Sequence, residues 1–138
     1  MTDDEQQSIR AADFGLSHLE QEGAQILTFV ETENIGVKLI VLFPYQILPE
    51  HWHPPVGDDP GKEETFRMID GTLYFYIEGE DTMKEGRLPE GKAAYYTARH
   101  EIVMKPADQI TVAPGIKHWL QAGPEGAVVY SFSTCVRD

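Results

Sequence analysis

Two histidines, His51 and His53, stand one residue apart in the stretch Pro49-Glu50-His51-Trp52-His53-Pro54-Pro55. In an extended strand, residues i and i+2 project from the same face, so both imidazoles address one point. A turn-rich loop follows through Gly57, Pro60 and Gly61, and it leads into Lys62-Glu63-Glu64. His118 comes much later, just after the turn residues Pro114-Gly115. Three imidazole nitrogens and a carboxylate form a borderline-to-hard donor set. It suits Mn²⁺, Fe²⁺, Co²⁺, Ni²⁺ or Zn²⁺ and leaves positions open for the oxygens of a substrate. Glu63 and Glu64 are adjacent, so alternation lets only one of them join the histidines, and at this point both remain open. Lys62 lies two residues before Glu64 and shares its face, which makes it the first candidate for a polar catalytic or orienting role. No single strand can wrap an ion. The set therefore needs strands that face one another across an interior.

The chain supplies them. Ala24 to Val30 and Gly36 to Tyr45 are β-branched, aromatic and aliphatic, with Glu33-Asn34 between them, which predicts a hairpin. Ile47 to His53 is a third extended stretch and carries the histidine pair. Glu64 to Met68 predicts a short strand ending in a turn at Ile69-Asp70-Gly71. Thr72 to Glu78 then alternates, with Leu73, Phe75 and Ile77 on one face and Thr72, Tyr74 and Tyr76 on the other. Glu80 to Gly91 is a charged excursion. Ala93 to Met104, Gln109 to Val112, Ile116 to Gln121 and Ala127 to Cys135 are further strands, the last two separated by Gly123-Pro124-Glu125-Gly126. At the start, Met1 to Ser8 reads as a loose polar stretch and Ser8 to Gly23 as a short helical or irregular segment. This succession predicts an all-β sandwich or small barrel.

Composition narrows the partners. At 138 residues the chain is expected to form one domain around one core, and 41% hydrophobic with 25% charged residues is ordinary for a globular protein. A net charge of −12 argues against nucleic acid or an anionic membrane as the main partner. Neither a secretion signal nor a long apolar span is evident, and the single cysteine, Cys135, has no intrachain partner, so a cytoplasmic location is expected.

With Gly71 and Pro114-Gly115-x-x-His118 included, the pattern resembles the two cupin motifs: His-x-His, a glutamate separated from a glycine by six intervening residues, then Gly-x-x-His. Glu64 meets that spacing to Gly71 and Glu63 does not, so the resemblance selects Glu64. Ten residues separate His53 from Glu64, a longer gap than most cupins have. Longer stretches extend the likeness. Phe43-Pro44, Pro49-Glu50-His51-x-His53-Pro54-Pro55, Gly61-Lys62-x-Glu64-Thr65-Phe66-Arg67, Tyr74-x-Tyr76-x-Glu78-Gly79, His100-Glu101 and Lys117-His118-Trp119-x-Gln121-Ala122-Gly123 resemble the D-lyxose isomerase family of cupins.

That resemblance runs from about Asp13 to about Ser133. It implies a dimeric cupin that interconverts D-lyxose with D-xylulose, and often D-mannose with D-fructose, using a divalent metal, usually manganese. His51, His53, Glu64 and His118 fall on the family's ligand positions. Tyr74, Tyr76 and Trp119 are candidates to line the sugar pocket. In the final strand the place of the family's glutamate is held by Ser131, which becomes a substrate-facing candidate of altered chemistry. The alternatives are a metal cupin with a different reaction and a sugar-binding cupin without one.

Overall fold

A computed structural model describes residues 2–134 of the chain. Cys135 and the terminal Asp138 lie outside the described residues. The first element is a short helix, α1 (Asp3–Gln7), capped by the Thr2 hydroxyl, which accepts from the Glu5 N–H at 3.1 Å. Asp3, Asp4 and Glu5 fill its first turn, where backbone N–H groups point outward and favour negative charge. The helical turn thus precedes the Ser8–Gly23 stretch where it was expected. That stretch instead holds β1 (Arg10–Ala12) followed by turns.

The hairpin forms as read, β2 (Ala24–Glu31) against β3 (Ile35–Leu42), and β4 (Ile47–His51) follows. Two predicted pairs of short strands turn out to be two long ones. β5 runs from Glu64 through Ile77 over 14 residues. After β6 (His100–Met104) and β7 (Gln109–Val112), β8 runs from His118 through Thr134 over 17 residues. The expected strand from Ala93 is shorter than read, because Ala93–Tyr95 forms a 3-10 turn and only His100–Met104 joins the ladder. The named strands pair antiparallel in one sheet, ordered β1-β2-β3-β8-β5-β6, with β4 also on β8 and β7 also on β5.

Bending of the β5–β8 ribbon makes the interior. A straight strand of 14 residues would hold its ends about 45 Å apart. The ribbon bends instead where Gly71 lies opposite Ala127 and the register slips. Gly71 has φ +78, and a side chain there would meet the Gly126 carbonyl oxygen at 2.2 Å, so only glycine permits the corner. The residues of Gly123-Pro124-Glu125-Gly126, expected to end one strand and start another, bulge out within β8 between partners Ala122 and Ala127.

Alternation then sorts side chains onto two sides. Inside the curl lies the main core, which includes Phe66, Met68, Leu73, Phe75, Leu120 and Val129. On the other side a second cluster joins Ile47, Tyr74, Tyr76, Tyr96, Ala98 and Trp119 beneath the excursion that leads from β5 to β6. The excursion is tied down by carboxylates. Glu101 accepts from the Lys84 and Glu85 N–H groups, Glu50 from those of Thr97 and Ala98, and Glu22 from Lys92 and Tyr96.

Candidate metal centre

Four elements contribute to one point. His51 ends β4 and is the register partner of His118 at the start of β8, so strand pairing alone brings two imidazoles within 4.3 Å between ring centres. His53 lies two residues beyond His51, in the chain that leads into the loop. That loop is braced by reciprocal backbone bonds between Val56 and Asp59, and the His53 carbonyl accepts from the Gly115 N–H at 3.0 Å. Glu64 opens β5 at the opposite end of the bent ribbon. The ligating atoms of His51, His53, Glu64 and His118 all lie within 4.8 Å of one another. Glu63 is exposed, and its N–H donates to the Thr134 hydroxyl, away from the cluster.

The hydrogen bonds around these residues fix how each is presented. Nδ1 of His51 lies 2.7 Å from the Pro49 carbonyl and Nδ1 of His118 lies 2.9 Å from the Ile116 carbonyl. A carbonyl only accepts, so each Nδ1 carries the proton and each Nε2 keeps its lone pair. The His118 ring stacks parallel to Phe75, which holds its plane. Glu64 Oε2 accepts from the Ser131 hydroxyl and lies 3.9 Å from Lys62 Nζ. Its other oxygen, Oε1, is 3.6 Å from His118 Nε2, beyond hydrogen-bond reach.

The electrostatics suit cation binding. Burial lowers the His51 imidazole below its ordinary value, reinforced by His118. Burial, the Lys62 ammonium and His51 bring His53 down to about 4. Both are neutral near pH 7, the state in which imidazole ligates. Burial alone would push the Glu64 carboxyl up. The Lys62 ammonium and the Ser131 hydroxyl oppose it and hold the Glu64 carboxyl below its ordinary range.

Three buried polar atoms among the described side chains have no hydrogen-bond partner: His53 Nε2, Glu64 Oε1 and His118 Nε2. Such orphans are rare and costly in folded proteins. All three belong to the same cluster, and a divalent cation is the partner that would satisfy them together. The donor set therefore fits a metal of the first-row divalent type.

The cluster opens into a cavity of about 510 Å³ whose lining includes Lys38, Glu50, His51, His53, Lys62, Glu64 and Ser131. Lys62 and Ser131 face this cavity. Tyr74, Tyr76 and Trp119 do not. They do not line this cavity, and all three are packed in the second cluster on the other side of the sheet. Parity is the reason: Trp119 follows the inward His118, and Tyr74 and Tyr76 alternate with the inward Leu73 and Phe75. Arg67 is exposed, and His100 lies away from the cavity beside Thr82 and Glu80.

Lys38 is a residue that sequence reading missed. It is the cross-strand partner of Ser131 and lies in β3 between Gly36 and Ile40, both buried. That parity, a lone cation on the inward face of an apolar strand, was a signal available in the sequence. A larger cleft of about 610 Å³ lies on the outer side of the loop, beside Asp58, Asp59 and Glu63. None of the orphaned atoms belongs to the residues lining it, so the chemistry points to the smaller cavity.

Known proteins bear on this arrangement. No protein-family model matches the chain. A D-lyxose ketol-isomerase of Cohnella laeviribosi is 48% identical over 139 aligned residues, covering 100% of this chain and 76% of the relative. A D-lyxose/D-mannose isomerase of Thermosediminibacter oceani is 49% identical, covering 97% and 75%. Among solved structures, the Acinetobacter sp. DL28 L-ribose isomerase in complex with L-ribose superimposes with a TM-score of 0.77 at 15% identity, covering 97% of this chain and 72% of that one. A Klebsiella pneumoniae protein with a double-stranded β-helix domain has a TM-score of 0.58 at 19% identity, covering 80% and 76%. The structural likenesses establish the fold, the double-stranded β-helix of the cupins.

Proposed function

The chain belongs to the D-lyxose ketol-isomerase family of sugar isomerases, and from that premise we propose that it is a divalent-metal-dependent aldose–ketose isomerase. Its proposed substrates are D-lyxose, giving D-xylulose, and D-mannose, giving D-fructose. The observation that carries the metal dependence is the convergence of three orphaned polar atoms on one point of the cavity. His51, His53, Glu64 and His118 would hold the ion, with manganese the first choice and Zn²⁺, Fe²⁺, Co²⁺ or Ni²⁺ compatible with the donors. A bound divalent ion would polarise a sugar carbonyl and its neighbouring hydroxyl and offset the negative charge of an enediolate.

This chain's own residues supply contacts to the sugar oxygens and position the carboxylate. Lys62 and Lys38 present two cationic side chains to the cavity, each able to donate hydrogen bonds to sugar oxygens as charge develops there. Lys62 is the proposed catalytic residue because it also lies beside Glu64. Ser131 donates to Glu64 and so orients that carboxylate, leaving its Oε1 toward His118. With its proton directed at a carboxylate, Ser131 serves as a positioning residue and not as a base. A homodimer is the proposed assembly.

Ser131 also favours a second reading. The family resemblance implies a glutamate in this place, and a committed hydroxyl there supports a cupin that binds a sugar without converting it. Product NMR separates the two. Metal-loaded protein incubated with D-lyxose or D-mannose is expected to yield the matching ketose, and added chelator is expected to stop the conversion. Saturable sugar binding without product from any aldose tested would replace the first reading with the second.

A further inference from the structure

Phe14 and Leu16 line the same cavity as His51, His53 and Glu64, yet neither belongs to either apolar cluster. They remain 47% and 37% exposed, whereas Glu64 and Ser131 are buried. The pair therefore sits at the mouth of the cavity and the ligands at its depth. Their backbone is unusual. Phe14 has φ 54 and Ser17 φ 62, both in the left-handed region that side-chain-bearing residues avoid, and Gly15 between them has φ 76. Asp13 closes the turn: its carboxylate accepts from the Gly15 N–H and its carbonyl from the Leu16 N–H, each at 3.0 Å. Core packing does not explain a strained turn that leaves its two largest apolar side chains half in water. Strain of this kind gathers where geometry serves a ligand.

The cavity is two-sided. Lys38, Lys62, Ser131 and the ligand carboxylate supply polar groups, while Ile26, Ile40 and Leu48 continue the apolar wall inward from Phe14 and Leu16. An open-chain sugar has the same character, with a carbonyl–hydroxyl end and C–H faces along its distal carbons. We propose that Phe14 and Leu16 form an apolar lip that covers the C–H face of the sugar's distal carbons. The number and configuration of carbons beyond the reacting pair are then read at this turn. This rests on the sugar-isomerase reading above.

The test uses the metal-loaded full chain with Phe14→Ala and Leu16→Ala. It measures kcat/KM for D-lyxose and D-mannose, calorimetric binding of the non-reacting polyol D-mannitol, and metal content. Phe14→Ala is expected to lower kcat/KM about tenfold, mainly through KM, and to weaken D-mannitol binding by a similar factor. The ratio of D-lyxose to D-mannose kcat/KM is expected to move by about threefold or more, because the two sugars differ beyond the reacting carbons. Leu16→Ala should act in the same direction, and Phe14→Tyr should restore values to within about twofold of wild type, since the ring is kept.

The lip is overturned if both alanine variants stay within about twofold of wild type for both sugars and the polyol, where lost apolar contact predicts more. It is also overturned if they lose metal, which would make the turn a brace for the centre. Should the wild type bind D-mannitol without turning over either sugar, and Phe14→Ala weaken that binding, the isomerase reading fails and the lip stands. If the wild type neither converts a sugar nor binds the polyol, both fail.

Discussion

His118 and Trp119 are consecutive, both almost wholly buried, and face opposite sides of β8. The two sides treat buried polar atoms in opposite ways. Around Trp119 three buried polar tips are partnered. Its indole N–H donates to the Ala98 carbonyl at 2.6 Å, the Tyr76 hydroxyl to Glu101 at 2.8 Å, and the Tyr96 hydroxyl to Glu22. Tyr76 stacks on Trp119 with ring centres 3.9 Å apart, and Tyr96 meets it edge-on. Around His118 the orphans gather: its own Nε2, on a ring whose Nδ1 is bonded to the Ile116 carbonyl, with His53 Nε2 and Glu64 Oε1. One side is organised for stability, the other for a ligand. Burial of a polar group does not by itself distinguish structure from function, but burial without a partner does.

The largest effect that would sharpen this contrast is on the aromatic side. Trp119→Ala is expected to cost about 3–5 kcal/mol of folding stability in denaturant titration, the range for emptying a buried aromatic site. The fraction that remains folded should still bind metal with wild-type stoichiometry. Loss of metal from folded Trp119→Ala protein would show that the two sides are not independent.

A smaller pair of changes compares one hydroxyl on each side. Ser131→Ala removes the donor that orients Glu64 and is expected to weaken metal affinity about tenfold by metal titration. Tyr76→Phe removes a hydrogen bond to Glu101 and is expected to lower stability by about 1 kcal/mol while leaving metal affinity unchanged. Exchange of those two outcomes would reverse the assignment of the sides.

The smallest effect is one of pH, in metal-free protein. His53 is held at about 4 in the folded chain against an ordinary 6.5, so the unfolded chain binds more protons between those values. Its stabilising contribution is complete above about 6.5 and is lost as pH falls toward about 4. Glu101 is shifted down, since its burial is outweighed by N–H donors from Lys84 onward and the Tyr76 hydroxyl, so its contribution is lost only below the ordinary carboxylate range. Thermal midpoints measured in chelator should therefore fall between pH 7 and pH 5, and His53→Gln should flatten that slope.

Much of this was legible in the sequence, because parity and spacing are local. His-x-His and Gly-x-x-His picked out the three histidines, two of which strand pairing sets side by side, and the spacing to Gly71 chose Glu64. Gly71 itself was read as a chain reversal and is instead the corner of a continuous ribbon. A glycine between two apolar runs has the same appearance in both cases. The misplaced aromatics, Tyr74, Tyr76 and Trp119, were readable: each has the wrong parity relative to an inward neighbour. Lys38 was readable on the same ground. Phe14 and Leu16 were not, because an irregular turn has no period and its left-handed backbone at Phe14 and Ser17 carries no residue signature.

Metal titration of chelator-stripped wild-type protein beside His118→Ala tests the central claim most directly. One tightly held divalent ion per chain is expected for the wild type, with affinity reduced by more than about 100-fold in His118→Ala, since a ligand should matter more than the groups that merely orient it. A wild type that takes up no ion, or a His118→Ala variant that binds as the wild type does, would contradict the account.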